Sequence, residues 1–164
     1  MKTWNRFNKL GRLRAFLLLF VGSLAIVPNT SFAQEPSAND WQEFIRVTGD
    51  VLHLSSAGDV KKIIEAQEQV TIFLRRRFPP RLQFLAVYTQ GKVYETQAKY
   101  SDALDSYQQF LKESKEYQPR IEAERIVLNS FIGSSLQCAS FCLSHLARYE
   151  EAVPLAQASV DWKR

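Results

Sequence analysis

The chain has 164 residues, the size of one ordinary domain, and carries 21 basic and 17 acidic residues. Five basic residues and no acidic one lie in the first 33 positions, so the remainder has 16 basic and 17 acidic residues and a net charge of −1. That balance excludes the broad basic surface that nucleic-acid binding requires.

The first 33 residues have the layout of a secretory signal peptide. Their basic residues precede and border an uncharged run from Ala15 to Val27, and Ser31-Phe32-Ala33 puts small residues where a signal peptidase cleaves. We expect cleavage after Ala33 and an exported protein, periplasmic or extracellular, that begins at Gln34. The uncharged run is short for a bilayer span, so an uncleaved leader that anchors the chain in a membrane is the alternative.

Beyond the leader, the sequence predicts an all-α protein. Apolar residues recur at helical spacing, and no stretch alternates with the two-residue period of a strand for long enough to predict one. The predicted layout is a short linker at 34–39, followed by antiparallel helix pairs at about 40–78, 80–117 and 119–164.

Helix ends are predicted from capping residues and prolines. Asp40 is expected to cap the first helix, with Glu43 returning the bond. Pro79-Pro80 ends the second helix, because the residue before a proline is pushed out of helical conformation. Pro154 lies near the start of the last helix, where we expect a mild kink rather than a break.

The clearest pattern runs from Val87 to Phe110 and predicts two amphipathic helices that meet at a tight turn. A glycine inside a helix costs ~1 kcal/mol relative to alanine, so Gly91 indicates a close helix crossing, with Ala103 as the facing residue. The positions that carry the pattern are Val87, Gly91, Tyr94, Tyr100, Ala103 and Tyr107.

This pattern resembles the tetratricopeptide repeat, a helix–turn–helix unit. Weaker copies place Ile63 and Ala152 in register with Ala103, at intervals of 40 and 49 residues, longer than the standard period of about 34. In the third pair Gly133 and Ser140 both compete for the position of Gly91. The resemblance implies a short solenoid whose first helices line a concave, partner-binding surface.

Carried onto the strongest repeat, the resemblance implies that Tyr88, Lys92, Glu95 and Thr96 face that concave groove. Gln137 is the comparable position in the third pair if Ser140 sets its register. An ordinary solvated helix face is the alternative for each of them. The function expected from the resemblance is a non-catalytic scaffold that binds a protein or peptide partner, with no cofactor.

The last helix adds two expectations. Its start, Tyr149-Glu150-Glu151-Ala152-Val153-Pro154, resembles long-period arrays that precede caspase-like peptidase domains in some bacterial exported proteins. The alternative function is therefore a truncated N-terminal array of such a protein, with no activity of its own. Trp162 and its apolar neighbours also predict an exposed patch through which the C-terminal pair contacts another copy or a missing domain.

Three residues have the spacing of metal ligands. Cys138, Cys142 and His145 lie four and three apart on one helix face, but the only other histidine, His53, lies two pairs away. Apolar neighbours favour buried thiols, and cysteines one helical turn apart are poorly placed for a disulfide. We predict no metal site.

No catalytic motif is present in the sequence. It has no glycine-rich phosphate loop, no nucleophile elbow and no zinc-peptidase helix motif. Glu122 and Glu124 are two residues apart on a predicted helix, so we expect them on opposed faces rather than as a carboxylate pair. No catalytic residue is predicted.

Overall fold

The computed structural model describes residues 35–162, and this part of the chain is all-α, as predicted, with no strand. The predicted leader lies outside the described residues. Six α-helices follow one another, with a short 3₁₀ turn, Pro80–Leu82, between the second and the third. The helices are α1 (Ala38–Ala57), α2 (Val60–Arg77), α3 (Leu85–Thr96), α4 (Tyr100–Glu116), α5 (Glu122–His145) and α6 (Tyr149–Trp162).

The first helix begins earlier than the sequence predicted. Ser37, and not Asp40, is its N-cap: the Ser37 hydroxyl accepts from the Asp40 amide at 3.2 Å. Asp40 is the return partner, because its carboxylate accepts from the Ser37 amide at 2.9 Å. The predicted capping box exists but lies three residues towards the N-terminus, since Ser37 and Asp40 have the same spacing as Asp40 and Glu43.

The proline pair ends α2 at the predicted place. Phe78 has an extended backbone, with φ −117° and ψ 143°, as expected for a residue that precedes a proline. The Gln83 side chain then donates to the carbonyls of Leu74 and Phe78 at 2.9 and 3.2 Å, which satisfies acceptors at the end of α2. Because of the 3₁₀ turn, α3 begins at Leu85 rather than near 81.

The two helices of each pair are joined by the same turn. Its left-handed residue has φ 71° at Gly58, 56° at Ala98 and 58° at Ala147. In all three turns the next amide donates to the carbonyl five residues earlier, at 3.4, 2.9 and 2.9 Å, and closes the helix end. The left-handed residue always lies five positions before the residues that the sequence aligned, which are Ile63, Ala103 and Ala152.

Each helix packs on the next one along the chain, and α1 also packs on α3. In addition, α1 contacts α5: the ring centroids of Phe44 and Phe131 lie 5.9 Å apart. A stack in which each repeat touches only its neighbours has no such contact. The core is therefore continuous from the first pair to the third, and α5 contacts α3 at Tyr88.

Two helices have unusual composition. By length and composition alone, α5 could cross a membrane. Half of its most apolar segment is buried in the fold, as in the core helix of a folded domain. α6 contains Pro154 and is one continuous helix, so the proline does not break it.

Candidate interaction site

Tyr88, predicted to face an open groove, is buried. Its side chain is 2% exposed and stacks on Phe131 of α5, with ring centroids 4.6 Å apart. Burial raises the pKa of Tyr88 to about 12. The expectation of an exposed Tyr88 is wrong because α5 lies over this face of α3, a contact that repeat spacing does not reveal.

Lys92 and Glu95 are also partly covered, so Lys92 does not point outwards as expected. The Lys92 ammonium lies 3.2 Å from both Glu95 carboxylate oxygens, and the two side chains are 14% and 19% exposed. The Tyr107 hydroxyl donates to Glu95 at 2.7 Å. Burial alone would lower the pKa of Lys92, but its neighbours Cys138 and Glu95 raise it above the usual range.

Thr96 and Gln137 complete the predicted set. The Thr96 hydroxyl donates to the Lys92 carbonyl at 2.8 Å and lies 3.0 Å from the Ser55 hydroxyl of α1. Gln137 is exposed on α5. The structure thus gathers Lys92, Glu95 and Thr96 at the interface between helices and leaves Gln137 at the surface. Partner binding by these residues stays a prediction.

Gly91 is needed for close packing, but against a different residue from the one predicted. A Cβ atom at Gly91 would lie 2.6 Å from the Tyr107 ring, too near for any real side chain. The three nearest atoms all belong to Tyr107 rather than to Ala103. The ring crosses Gly91 to reach Glu95, so glycine is required by an aromatic side chain and not by a helix backbone.

The cysteines are free thiols in the fold's interior. Cys142 is fully buried, and burial raises its pKa to about 12. Burial also raises the pKa of the Cys138 thiol, which lies beside Lys92 and Tyr107. Within residues 35–162 no group of three metal-ligating side chains comes together, and His145 stacks instead on Tyr100, 4.2 Å away. Protonated thiols of this kind are unreactive.

A buried carboxylate, Glu124, was missed by the sequence analysis. It accepts hydrogen bonds from the Tyr117 hydroxyl and the Arg120 amide, both at 2.7 Å, and from Arg81 at 3.3 Å. Its side chain is 1% exposed. Arg81 also pairs with Glu35, so the cluster ties the start of α5 to segments before α1 and after α2.

The predicted separation of Glu122 from Glu124 is consistent with this arrangement, because Glu122 is exposed and pairs with Arg125. A signal for the buried cluster does exist in the sequence. Glu124 lies four residues before Leu128 and seven before Phe131, on the apolar stripe of α5. A single acid on such a stripe indicates a buried, hydrogen-bonded carboxylate.

The outward face of α5 forms a shallow groove, here called the α5 groove. It contains a cavity of about 240 Å³ that is lined by Asn129, Ser130, Gly133, Ser134 and Trp162. The Trp162 indole donates to the Asn129 carbonyl at 2.9 Å, and its ring is 48% exposed. Along the same helix stripe lie Gln137 and the half-exposed Phe141.

A second exposed surface, here called the α6 stripe, is apolar. It consists of Tyr149, Val153, Ala156 and Val160, spaced four, three and four residues apart. Trp162 is 48% exposed, as expected, and its indole also donates a hydrogen bond to the Asn129 carbonyl of α5.

The structure defines an all-α protein of paired helices joined by one repeated turn, with a polar groove and an apolar stripe on its third pair. Comparisons with protein-family models, curated proteins and solved structures found no match to this chain.

Proposed function

We propose that this chain is an exported, non-catalytic interaction scaffold of tetratricopeptide-like helix pairs that binds a protein partner in extended conformation. The repeated turn at Gly58, Ala98 and Ala147 supports the repeat assignment, since each recurs five residues before an aligned position. The signal-peptide pattern of the first 33 residues supports export.

The observation that carries the proposal is the α5 groove. The left-handed turn residues Ala98 and Ala147 are 49 residues apart, and Gln137 is 49 residues after Tyr88, so the two occupy the same position of their repeats. On α3 this position is covered by α5, whereas on α5 it is exposed. The groove of the third pair thus keeps the open surface that the resemblance implies for all pairs.

The chemistry of the groove suits a peptide backbone. Serine hydroxyls and amide side chains from Asn129 to Gln137 can exchange hydrogen bonds with main-chain groups. Trp162 and Phe141 offer aromatic surface at the two ends. Ser130 and Phe141 are 11 residues apart on the helix, about 16 Å, which matches roughly five extended residues of a partner.

Site-specific photo-cross-linking tests this function. A photoreactive amino acid replaces Gln137 in the expressed protein, and a matched control replaces Gln108, an exposed glutamine on α4. We expect a discrete cross-linked protein from position 137 and none from position 108, with the attached peptide identified by mass spectrometry. Equal labelling from both positions, or no product from either, would contradict the proposal.

A further inference from the structure

The first and third helix pairs touch directly at a cluster of three aromatic rings. The rings belong to Phe44 of α1, Tyr88 of α3 and Phe131 of α5. The ring centroids of Phe44 and Phe131 lie 5.9 Å apart, and those of Tyr88 and Phe131 lie 4.6 Å apart. The three side chains are 0%, 2% and 8% exposed. The contact between α1 and α5 thus belongs to the cluster in which Tyr88 is buried.

One helical turn beyond these rings, the buried residues of α1 and α5 are polar. Thr48 lies four residues after Phe44, and Ser135 lies four residues after Phe131, so each continues the stripe of its phenylalanine. Thr48 and Ser135 are 2% and 0% exposed, and neither hydroxyl has a hydrogen-bond partner in the described part of the chain. A buried hydroxyl that has lost its hydration without gaining a partner opposes the packing that covers it.

An ion-pair cluster joins the same two helix pairs near the start of α5. Glu35, which precedes α1, lies 2.9 Å from Arg120, which precedes α5, and also pairs with Arg81. We call these three residues the Glu35 strap. The side chains of Glu35 and Arg120 are 54% and 63% exposed, so their attraction is modest and is screened by salt. The strap therefore holds the first pair to α5 but is easily released.

We propose that the contact between α1 and α5 is a reversible closure, held by the Glu35 strap. Because α1 also packs on α2 and on α3, the first pair stays attached to the fold when it moves away from α5. The buried rings favour the closed form, whereas the unpartnered hydroxyls of Thr48 and Ser135 favour the open form, in which water reaches them. The charge pairs of the strap then set the balance between two forms of similar free energy.

The closure controls access to a cleft between α1 and α5. Opening exposes Phe44 on one side and Phe131 on the other, each followed by a hydroxyl one turn along its helix. This surface is separate from the α5 groove, because Phe131 and Ser135 are buried whereas Asn129 and Ser130 are exposed. The closed form thus hides an aromatic and polar surface that the open form offers to a partner.

Residue-resolved thiol labelling tests the closure. Ser135→Cys puts a thiol of nearly the same shape beside the contact, and Cys142, fully buried on the same helix, is the internal control. The folded protein reacts with a maleimide, and mass spectrometry assigns each adduct to its cysteine. We expect position 135 to react at least about tenfold faster than Cys142, with little dependence on urea below the unfolding transition, because a local opening exposes little surface.

The strap is tested in the Ser135→Cys protein. Glu35→Gln keeps the shape of the side chain but removes its charge, and should raise the labelling rate at position 135 at least about threefold. Raising the salt concentration from about 50 mM to about 1 M should act in the same direction. Glu122→Gln breaks an exposed ion pair outside the strap and should leave the rate unchanged. Thr48→Cys reports the same opening from α1 and should react at a similar rate.

Equal labelling rates at positions 135 and 142, with the same urea dependence, would show that the contact opens only in global unfolding and would overturn the closure. Labelling at position 135 that neither Glu35→Gln nor salt changes would overturn the role of the strap. Both results are independent of the proposed function, because the cross-linker at Gln137 reports on the α5 groove.

Discussion

The second and third helix pairs share a turn but differ in the residues at two corresponding positions. In the second pair, Tyr107 crosses over Gly91 to reach Glu95. In register with these two, the third pair has Ala156 and Ser140, and the Ser140 hydroxyl donates to the Ala152 carbonyl at 2.9 Å. The second pair thus combines glycine with tyrosine at these two positions, whereas the third combines serine with alanine.

This difference follows from what lies outside each pair. Tyr107 is buried because α5 packs over it, so a large aromatic side chain there contributes core area. Ala156 is exposed among the described residues, and an aromatic ring there would add apolar surface to water. The competition between Gly133 and Ser140 is also resolved: both contact α6, since Ser159 donates to the Gly133 carbonyl at 3.0 Å.

The largest expected effect comes from the cluster that holds the start of α5 against the first two pairs. Glu124→Ala should lower the free energy of unfolding by about 3 kcal/mol, because Arg81 would lose its buried partner and Tyr117 its acceptor. Urea denaturation measures the loss. Glu122→Ala, two residues away and exposed, is the control and should leave the free energy of unfolding nearly unchanged. Similar losses from both would show that Glu124 is not buried.

Gly91→Leu should cost about 3 kcal/mol, because the new side chain overlaps the Tyr107 ring. Replacing both residues by their equivalents in the third pair, serine and alanine, tests whether this overlap is the cause. The combination of Gly91→Ser with Tyr107→Ala should cost at least about 1 kcal/mol less than the sum of the single changes. In the third pair, Ser140→Ala removes only a hydrogen bond and should cost about 1 kcal/mol. If the unfolding free-energy changes of the two single variants simply add in the double variant, the side chains at 91 and 107 do not compete for the same space.

Lys92→Ala should cost about 2 kcal/mol, since Glu95 would lose its cation in a partly buried setting. The comparison is Lys112→Ala, at an exposed position of α4, which should leave the midpoint of chemical denaturation unchanged. If the two variants unfold at the same urea concentration, the Lys92–Glu95 pair contributes nothing to the covered face.

Stability should fall at alkaline pH. Burial raises the pKa values of Cys142 and Tyr88 to about 12, above the values of about 8.5 and about 10 in an unfolded chain. Their contribution is complete below the unfolded values and is lost as pH rises towards 12, because only the unfolded chain releases these protons. Urea unfolding at about pH 8, 10 and 11 measures the decline, which Cys142→Ala should make shallower. A flat profile would contradict burial.

The smallest effects are expected at the shared turns. Ala98→Gly and Ala147→Gly should each stabilise the fold by about 1 kcal/mol, because alanine is strained at positive φ. Gly58→Ala should destabilise it by a similar amount. Thermal unfolding of the three variants decides whether the turns are equivalent, and a destabilising glycine at either alanine would show that they are not.

Local signals in the sequence were enough to predict the helices. Period, proline and turn residues act over a few neighbours, so the all-α class, the end of α2 at Pro79-Pro80 and close packing at Gly91 could be predicted. The start of α1 was missed by three residues because two capping boxes compete for the same turn.

Tertiary structure alone decided which faces are covered. The spacing of Tyr88, Lys92 and Glu95 is the same whether that face meets solvent or α5. Sequence periodicity therefore could not show that Tyr88 is buried and that the other two are partly covered. The partner of Gly91 and the burial of Glu124 likewise depend on how distant segments meet. Local sequence sets helix boundaries, whereas burial depends on contacts between residues far apart in the chain.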